Sequence, residues 1–349
     1  MKQLSRAERK KTRETIRAGS KSFHAASLFL PKDVREAARS LYAFCRSSDD
    51  LVDLDNDDGT ASARLKSRLD MIYGGRPDAH LCDKAFAAVV ADYAIPRTIP
   101  DALIEGFEWD EAGRIYESMD DLLDYAARVA STVGVMMALI MGQRERHTLA
   151  RAADLGLAMQ LTNIARDVGE DARNGRVYLP DHLLAHHGLT REGLIDDPRF
   201  SQPLANAVRD LLAQADHYYA RAIRGVAGLP IGCRPAIRGA ALIYQKIGRE
   251  ITNNDYNSVD QRAHTSKNSK IASMLYATFT PLLLKPVSSD PADRAVSFLV
   301  ESAATSAPPR LKSVDDKIGR MVELMATARD RRMSLHTQPR NDDPEGGLV

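Results

Sequence analysis

Two sets of polar residues recur at the spacing that places side chains on one face of a helix. The sets are spaced by three or four residues and comprise Tyr42, Arg46, Asp49 and Asp53, then Gln160, Asn163, Asp167 and Asp171. Because residues three and four apart are neighbours on a helix, each set forms one polar stripe. Carboxylate and amide oxygens arranged in this way can share hard divalent cations such as Mg2+. The two stripes are therefore candidate metal sites.

A polar network inside the protein is the alternative interpretation of each stripe. With 47 acidic residues among 349, about six acidic pairs four residues apart are expected by chance, so one pair alone is weak evidence. The second stripe is flanked by apolar residues that predict a buried helix, namely Leu157, Met159, Leu161, Ile164 and Val168. Buried polar groups are costly unless each has a partner. Two stripes of one design in a single chain favour a bound metal or ligand over a purely structural network.

Charge selects the class of ligand that such stripes would bind. Carboxylates do not bind anions directly, but Mg2+ joins them to phosphate oxygens. A diphosphate held in this way also needs cationic side chains nearby. The candidate cations are Lys21, Arg46, Arg166, Arg173, Arg262 and Lys267. Of these, Arg46 lies on the aspartate face itself.

Helices are the elements that must position both stripes. Proline is absent between Pro100 and Pro180 and between Pro235 and Pro281, and these spans are rich in residues that favour helix. Apolar residues recur at helical rather than alternating spacing. We predict one large all-α domain over residues 1–285. Short breaks are predicted near residues 74–77, 96–100, 178–180 and 229–235.

The remaining residues, 286–349, have a different composition. A connecting segment rich in Pro, Ser and Ala comes first, and one amphipathic helix is predicted over residues 310–333. The final sixteen residues, SLHTQPRNDDPEGGLV, are predicted to be disordered.

Bulk composition excludes several classes of protein. The 48 basic and 47 acidic residues give a net charge of +1, without the basic excess typical of nucleic-acid binders. No apolar run reaches the ~18–20 residues of a membrane-spanning helix, and the N-terminus does not resemble a secretory signal. Three widely separated cysteines fit a reducing compartment. We therefore expect a cytoplasmic protein.

Three segments resemble the signatures of the squalene/phytoene synthase family, and the last is closest to the bacterial phytoene synthase type. They are SKSFHAASLFLP from Ser20, LYAFCRSSDDLVD, and AMQLTNIARDVGEDARNGRVYLP. The resemblance covers about residues 15–285. It implies the all-α isoprenoid synthase fold, with a central cavity and the two aspartate motifs on opposing walls. Ala127 and Ser131 depart from the family pattern, where many members carry an aromatic residue and a glycine.

The resemblance also implies roles for individual residues. Asp49, Asp53, Asp167 and Asp171 would be catalytic and, with Asn163, would hold Mg2+, or Mn2+ in its place. The implied substrate-binding residues are Ser22, Phe23, Tyr42, Arg46, Gln160, Asn163, Arg166, Tyr256, Arg262 and Lys267.

The implied activity is that of a prenyltransferase of carotenoid biosynthesis. Two geranylgeranyl diphosphates would be condensed head to head, through the cyclopropyl prephytoene diphosphate, to phytoene, without NADPH. Because substrate and product are apolar chains, peripheral contact with a membrane surface is expected. Met274–Leu284 is the candidate contact segment, although packing in the core is the commoner fate of such an apolar run. One alternative is a squalene, dehydrosqualene or hydroxysqualene synthase acting on two farnesyl diphosphates. Another is a non-catalytic assembly factor, which would be expected to lose the aspartates.

Overall fold

The computed structural model of the protein describes residues 25–54, 60–279 and 287–307, and these residues form helices without any β-strand. The prediction of an all-α protein is thereby confirmed. The described residues belong to one compact unit, Met1–Pro309. The helix and tail predicted beyond residue 310 lie outside the described residues.

We number the helices of the described residues in chain order. They are α1 (Lys32–Leu54), α2 (Ala61–Tyr73), α3 (Leu81–Tyr93), α4 (Thr98–Glu111), α5 (Met119–Ala126), α6 (Thr132–Ile140), α7 (Arg146–Arg173), α8 (Asp181–His186), α9 (Arg191–Asp196), α10 (Gln202–Ile223), α11 (Arg234–Asn253), α12 (Lys267–Phe279) and α13 (Ser297–Ala304). A π-helical turn, Ala127–Ser131, joins α5 to α6, and short 3-10 turns lie at Val226–Gly228, Ile231–Cys233 and Arg294–Val296.

Helix α7 carries the second stripe and is the central helix of the bundle. It packs against α6, α10, α11 and α13, so apolar residues are buried on most of its circumference. Its first turn is capped by Glu145, whose carboxylate accepts hydrogen bonds from the backbone N–H groups of His147 (2.9 Å) and Thr148 (2.7 Å). The polar stripe is therefore held on a rigid, deeply packed element.

Helix α1 carries the first stripe and turns a different face to the core. Leu41, Phe44 and Val52 are buried there, and the ring of Phe44 stacks on Phe86 of α3 with centroids 4.1 Å apart. This stack fixes the rotation of α1 about its axis. Arg46 on the stripe remains exposed.

All four predicted breaks separate helices in the structure, but the proline-free span 100–180 contains two further breaks. At residues 112–118, Gly113 has a positive φ of 60° and Ser118 forms a capping box with Asp121 that starts α5. Near residue 141 the chain turns at Gly142, where φ is 80°. The two glycines and the N-cap at Ser118 thus interrupt a span over which composition alone predicts continuous helix.

The compact unit extends beyond the boundary predicted at residue 285. Residues 287–307 include α13, which packs against α7 and α4. Val296, Leu299 and Val300 of this region are buried in the main core. The segment is rich in Pro, Ser and Ala, so its composition predicts a connection. Its few apolar residues are enough to anchor only a short helix, and so they do not stand out in the composition.

One helical run in the described part of the chain is long and apolar enough, by length and composition alone, to cross a membrane. It is Met119–Ile140, and 67% of its apolar window is buried inside the protein. Backbone packing explains that burial, because a Cβ on Gly156 of α7 would lie 2.5 Å from the Cα of Ser131. The Ser131 hydroxyl also donates a hydrogen bond to the Ala153 carbonyl (2.8 Å). The run therefore packs as a core helix, and Gly156 lets its backbone approach that of α7.

Candidate active site

The second stripe lies on one half-buried face of α7. Gln160, Asn163, Asp167 and Asp171 are all partly buried, and the amide of Asn163 donates a weak hydrogen bond to the side-chain oxygen of Gln160 (3.4 Å). The structure thus places the four residues of this stripe together, as their spacing requires.

Asp167 is held by two arginines. Arg166 donates hydrogen bonds of 2.8 and 2.5 Å to its two oxygens, and the Nε of Arg262 donates another at 2.8 Å. Burial opposes ionisation of Asp167, but these hydrogen bonds and charges outweigh it and hold the pKa of Asp167 below its ordinary value. Asp167 is therefore a carboxylate at neutral pH, with cations already in place beside it.

Asp171 has the opposite electrostatic environment. Burial, and then the negative charges of Asp167 and Glu170, raise the pKa of Asp171 to about 7, against the opposing charges of Arg176 and Arg166. A divalent cation would relieve this excess of negative charge. The donor set of Asn163, Asp167 and Asp171 therefore fits a hard cation such as Mg2+. The described residues contain no group of three or more His, Cys, Asp or Glu that could hold a metal by itself.

Arg262 reaches Asp167 because its loop packs directly on α7. Gly169 makes this approach possible, since a Cβ there would lie 2.5 Å from the Cα of Val259. The N–H of Gly169 donates to the carbonyl of Ser258 (3.1 Å), and Arg173 donates to the carbonyl of Val259 (2.5 Å). Sequence reasoning missed Gly169, although a glycine inside a helix, beside an aspartate motif, was a signal of close backbone approach.

The same loop begins with two residues in the left-handed backbone region. Asp255 and Tyr256 have φ values of 53° and 58°, an uncommon conformation for side chains of this size. Tyr256 is half-buried and packs against the main core. The structure therefore places this predicted substrate-binding tyrosine at a strained turn that leads into Arg262.

The first stripe is more exposed than the second. Arg46 forms ion pairs with Asp49 (2.9 Å) and Asp50 (2.6 Å), and Tyr42 is half-buried one turn before. Asp53 lies in α1, but its side chain is outside what the structure describes. The sequence placed Arg46 and Asp49 on one face, and in the structure they are in direct contact.

The other predicted site residues have different outcomes. Lys21, Ser22 and Phe23 lie outside the described residues. Lys267 is the first residue of α12, and its side chain is likewise not described. Arg173, a candidate cation, instead binds the backbone of the loop that carries Arg262.

A cluster that sequence reasoning missed lies next to both stripes. Asp110 at the end of α4 accepts hydrogen bonds from the hydroxyls of Tyr125 and Tyr178, each at 2.9 Å. Asp49 is near enough for its charge to raise the pKa of Asp110. Tyr178 lines a small cavity together with Asp171. A larger, open pocket between α11 and α12 contains none of the predicted site residues; it is lined by Lys246, Arg249, Glu250, Thr252, Asn253 and Ser269.

Comparison with known proteins shows the family of the chain. The sequence model of the squalene/phytoene synthase family matches residues 16–269. The chain belongs to that family. It is similar to the phytoene synthase of Cereibacter sphaeroides, with 45% identity over 338 residues, 92% of this chain and 94% of the relative. It is also 45% identical over 309 residues to the phytoene synthase of Rhodobacter capsulatus, covering 86% of this chain and 91% of the relative.

Solved structures share the fold of this family member. A dehydrosqualene synthase in complex with a ligand superposes with a TM-score of 0.73 at 27% identity, over 78% of this chain and 95% of that chain. The squalene synthase HpnC from Alicyclobacillus acidocaldarius superposes with a TM-score of 0.65 at 23% identity, over 72% of this chain and 95% of that chain. The predictions of the isoprenoid synthase fold and of a prenyltransferase-type enzyme related to bacterial phytoene synthases are confirmed.

Proposed function

We propose that the protein is a phytoene synthase that condenses two geranylgeranyl diphosphates head to head in the presence of Mg2+. The observation that carries this proposal is the 45% identity with a phytoene synthase over 92% of the chain. The second stripe supports it, because four polar side chains share one face of α7. A non-catalytic assembly factor would have no need of these aspartates, so we favour the enzyme.

The metal-binding residues in this proposal are those with the oxygen chemistry that Mg2+ prefers. They are Asp49, Asp53, Asn163, Asp167 and Asp171. When bound, Mg2+ supplies the positive charge that stabilises a departing diphosphate. Mn2+ is expected to substitute for it, and NADPH is not expected to take part.

The arginines in or beside the stripes would bind and orient the diphosphates. Arg46, Arg166 and Arg262 already lie against the aspartates, at 2.5–2.9 Å. Guanidinium groups form paired hydrogen bonds with phosphate oxygens. Because the aspartates hold these arginines in place before substrate arrives, little side-chain freedom needs to be lost when diphosphate binds.

The carbon chemistry requires a site that excludes water. Loss of one diphosphate gives an allylic cation, which the double bond of the second substrate attacks, and loss of a proton from the resulting cation closes the ring of the cyclopropyl intermediate. Loss of the second diphosphate, rearrangement and release of a proton give phytoene. The apolar side chains beside the second stripe, including Ile164 and Val168, are buried. They would keep water from quenching the cations.

Product analysis tests this function directly. The purified protein is incubated with Mg2+ and either geranylgeranyl or farnesyl diphosphate, with and without NADPH, and the hydrocarbon is identified by mass spectrometry. We expect phytoene from the C20 substrate alone, and no product after chelation of the metal. A C30 product formed only from farnesyl diphosphate would instead show a squalene or dehydrosqualene synthase.

Peripheral contact with a membrane is the second part of the proposal. Helix α12 supports it, because Ile271, Leu275 and Tyr276 are large apolar or aromatic residues exposed on one face. These residues belong to or adjoin the segment that the sequence marked as a membrane contact. Flotation with anionic liposomes should recover the protein in the lipid fraction, and Ile271→Ser combined with Leu275→Ser should reduce that recovery.

A further inference from the structure

Asp110 is the centre of a cluster of three tyrosines. Its two carboxylate oxygens accept one hydrogen bond each, from Tyr125 and from Tyr178, both at 2.9 Å. The ring of Tyr116 lies 5.2 Å from that of Tyr125, and the rings of Tyr125 and Tyr178 are 5.3 Å apart. The hydroxyl of Tyr116 is fully buried and has no hydrogen-bond partner among the described residues. The cluster thus combines aromatic rings with a carboxylate.

The cluster is assembled from separate parts of the chain. Asp110 lies in the last turn of α4, Tyr125 lies in α5, and Tyr178 belongs to the loop after α7. The side chain of Tyr125 is buried, with 4% of its surface exposed. A partly buried carboxylate shared by hydroxyls from two other segments therefore fixes those segments relative to one another.

Both aspartate stripes lie near this cluster. The charge of Asp49 acts on Asp110, and so does that of Arg176. On the other side, Tyr178 and Asp171 line one cavity. The cluster therefore adjoins both aspartate stripes, which would bind the diphosphates of the proposed reaction.

Aromatic rings attract cations through their negative faces. A phenol that donates a hydrogen bond to a carboxylate gains electron density, so Asp110 would strengthen this attraction at Tyr125 and Tyr178. The hydrogen bonds also restrict rotation of both hydroxyls. Correct placement of groups around a reacting centre contributes strongly to rate, and small displacements are costly.

We propose that Asp110 is a positioning residue, whose carboxylate holds Tyr125 and Tyr178 beside the two aspartate stripes, where they would face the carbocations of the reaction. This inference rests on the proposed prenyl diphosphate condensation. The tyrosines are the groups that would touch the substrate, and Asp110 acts through them.

Burial of the carboxylate at this place is consistent with that role. Burial raises the pKa of Asp110 to about 6, while the hydrogen bonds of Tyr125 and Tyr178 and the charge of Arg176 oppose the rise and Asp49 adds to it. At neutral pH the Asp110 carboxylate is thus ionised although its burial disfavours the charge. A neutral side chain of the same shape would fill the same space without that cost.

A double-mutant cycle on the purified full-length protein tests the proposal. Asp110→Asn is compared with Tyr125→Phe combined with Tyr178→Phe, and with the triple variant. We expect Asp110→Asn to lower kcat about 10- to 100-fold and to change KM by less than about threefold, because metal and diphosphate contacts remain. In the background that lacks both hydroxyls, the same substitution should lower kcat less than about twofold. Fully additive losses, or an unchanged kcat in folded Asp110→Asn, would overturn the proposal.

The matched control is a second tyrosine–aspartate pair outside the site. The hydroxyl of Tyr218 donates to Asp293 at 2.8 Å, and Tyr218 is as buried as Tyr125. Tyr218→Phe and Asp293→Asn should leave kcat within about twofold of the wild type. An equal loss in this control would mean that any buried tyrosine–aspartate bond matters only for folding.

A binding measurement separates this proposal from the proposed function. The double-mutant cycle uses whichever prenyl diphosphate the wild type consumes. The product then identifies the activity, and the coupling between Asp110 and the two tyrosines tests the role of Asp110. In parallel, calorimetry measures binding of a C20 dimethylamine, which is protonated at neutral pH, with Mg2+ and inorganic diphosphate present. Asp110→Asn should weaken the binding of this cation about tenfold and leave that of the neutral C20 alcohol unchanged. Equal affinities for the amine in both proteins would contradict the proposal even if neither prenyl diphosphate reacts.

Discussion

Asp167 and Asp171 lie one turn apart on α7, but their pKa values shift in opposite directions. The pKa of Asp167 is lowered by its two arginines, whereas burial and neighbouring carboxylates raise that of Asp171 to about 7. Such divergence between adjacent groups is typical of functional sites, because each environment favours a different protonation state. Asp167 is therefore ionised and binds cations throughout. Asp171 would become fully ionised when a divalent cation binds.

Asp167→Ala should abolish turnover without unfolding the protein. Removal of this carboxylate leaves Arg166 and Arg262 without the partner that orients them, and it removes one metal-binding group. We expect kcat/KM to fall about a thousandfold or more, with helical content unchanged by circular dichroism.

Glu170→Ala is the matched control for this prediction. Glu170 lies on the same helix and its exposed carboxylate is 3.2 Å from Arg262, so its loss should change kcat/KM by less than about threefold. If Asp167→Ala lost its helical content instead, the stripe would be a structural network.

Asp110→Asn should make the metal-free protein no less stable at neutral pH. The pKa of Asp110 rises on folding from 3.8 to about 6, so this group contributes stability below about pH 4 and loses that contribution as the pH rises through 6. The loss is about 3 kcal/mol at most, from two pKa units at 1.36 kcal/mol each. Asp110→Asn has no carboxyl group to ionise, so the variant does not lose this stability as the pH rises.

Urea unfolding at several pH values checks this prediction. The unfolding free energy of the variant minus that of the wild type should be larger at pH 7.5 than at pH 4. A variant that is less stable at pH 7.5 than at pH 4, relative to the wild type, would show that the ionised carboxylate stabilises the fold.

At the scale of elements, the sequence predicted what depends on local spacing. The stripes on α1 and α7 follow from intervals of three and four residues, which any helix converts into a shared face. Asp110 and Tyr178 are 68 residues apart, and they meet only because α4 and the loop after α7 pack together. No local pattern encodes that meeting. The contact between Gly169 and Val259 is likewise tertiary, so it was visible only as an isolated glycine.

Gly169→Ala should displace the loop that brings Arg262 to Asp167. A Cβ at this position meets backbone atoms at 2.5 and 2.8 Å, and backbone cannot move aside as a side chain would. We expect a loss of about 1–3 kcal/mol in unfolding free energy and a fall in kcat/KM of at least about tenfold. Chemical denaturation and steady-state kinetics measure the two effects.

Gly248→Ala is the control for that substitution. Gly248 also lies inside a helix, α11, but its added Cβ would meet only the side chain of Leu212, at an ordinary 3.6 Å. Alanine favours helix over glycine by about 1 kcal/mol, so this variant should be as stable as the wild type or more so. If both variants behaved alike, helix propensity and not loop contact would explain Gly169.

At the scale of the whole molecule, residues 287–307 are fastened to the central helix. Arg151 of α7 is fully buried and pairs with Asp154 at 2.7 Å. It also donates to the backbone carbonyls of Asp290 and Pro291, both at 3.2 Å. Arg221 of α10 joins Asp154 at 3.0 Å and the Pro291 carbonyl at 2.9 Å. These bonds make a segment of loop-like composition part of the compact unit.

Truncation distinguishes the two possible ends of the folded unit. A chain ending at Pro309 keeps α13 and the bonds of Arg151, so it should unfold cooperatively with a Tm within a few degrees of that of the full chain.

A chain ending at residue 285 loses the buried side chains of Val296, Leu299 and Val300 and leaves a buried arginine with fewer partners. At roughly 1.5–3 kcal/mol for each buried side chain, that loss rivals the ~5–15 kcal/mol that stabilises a typical protein. We expect the shorter chain to aggregate or to lack a cooperative thermal transition by calorimetry. A shorter chain that unfolds like the full-length protein would place the boundary at residue 285, as the sequence alone predicted.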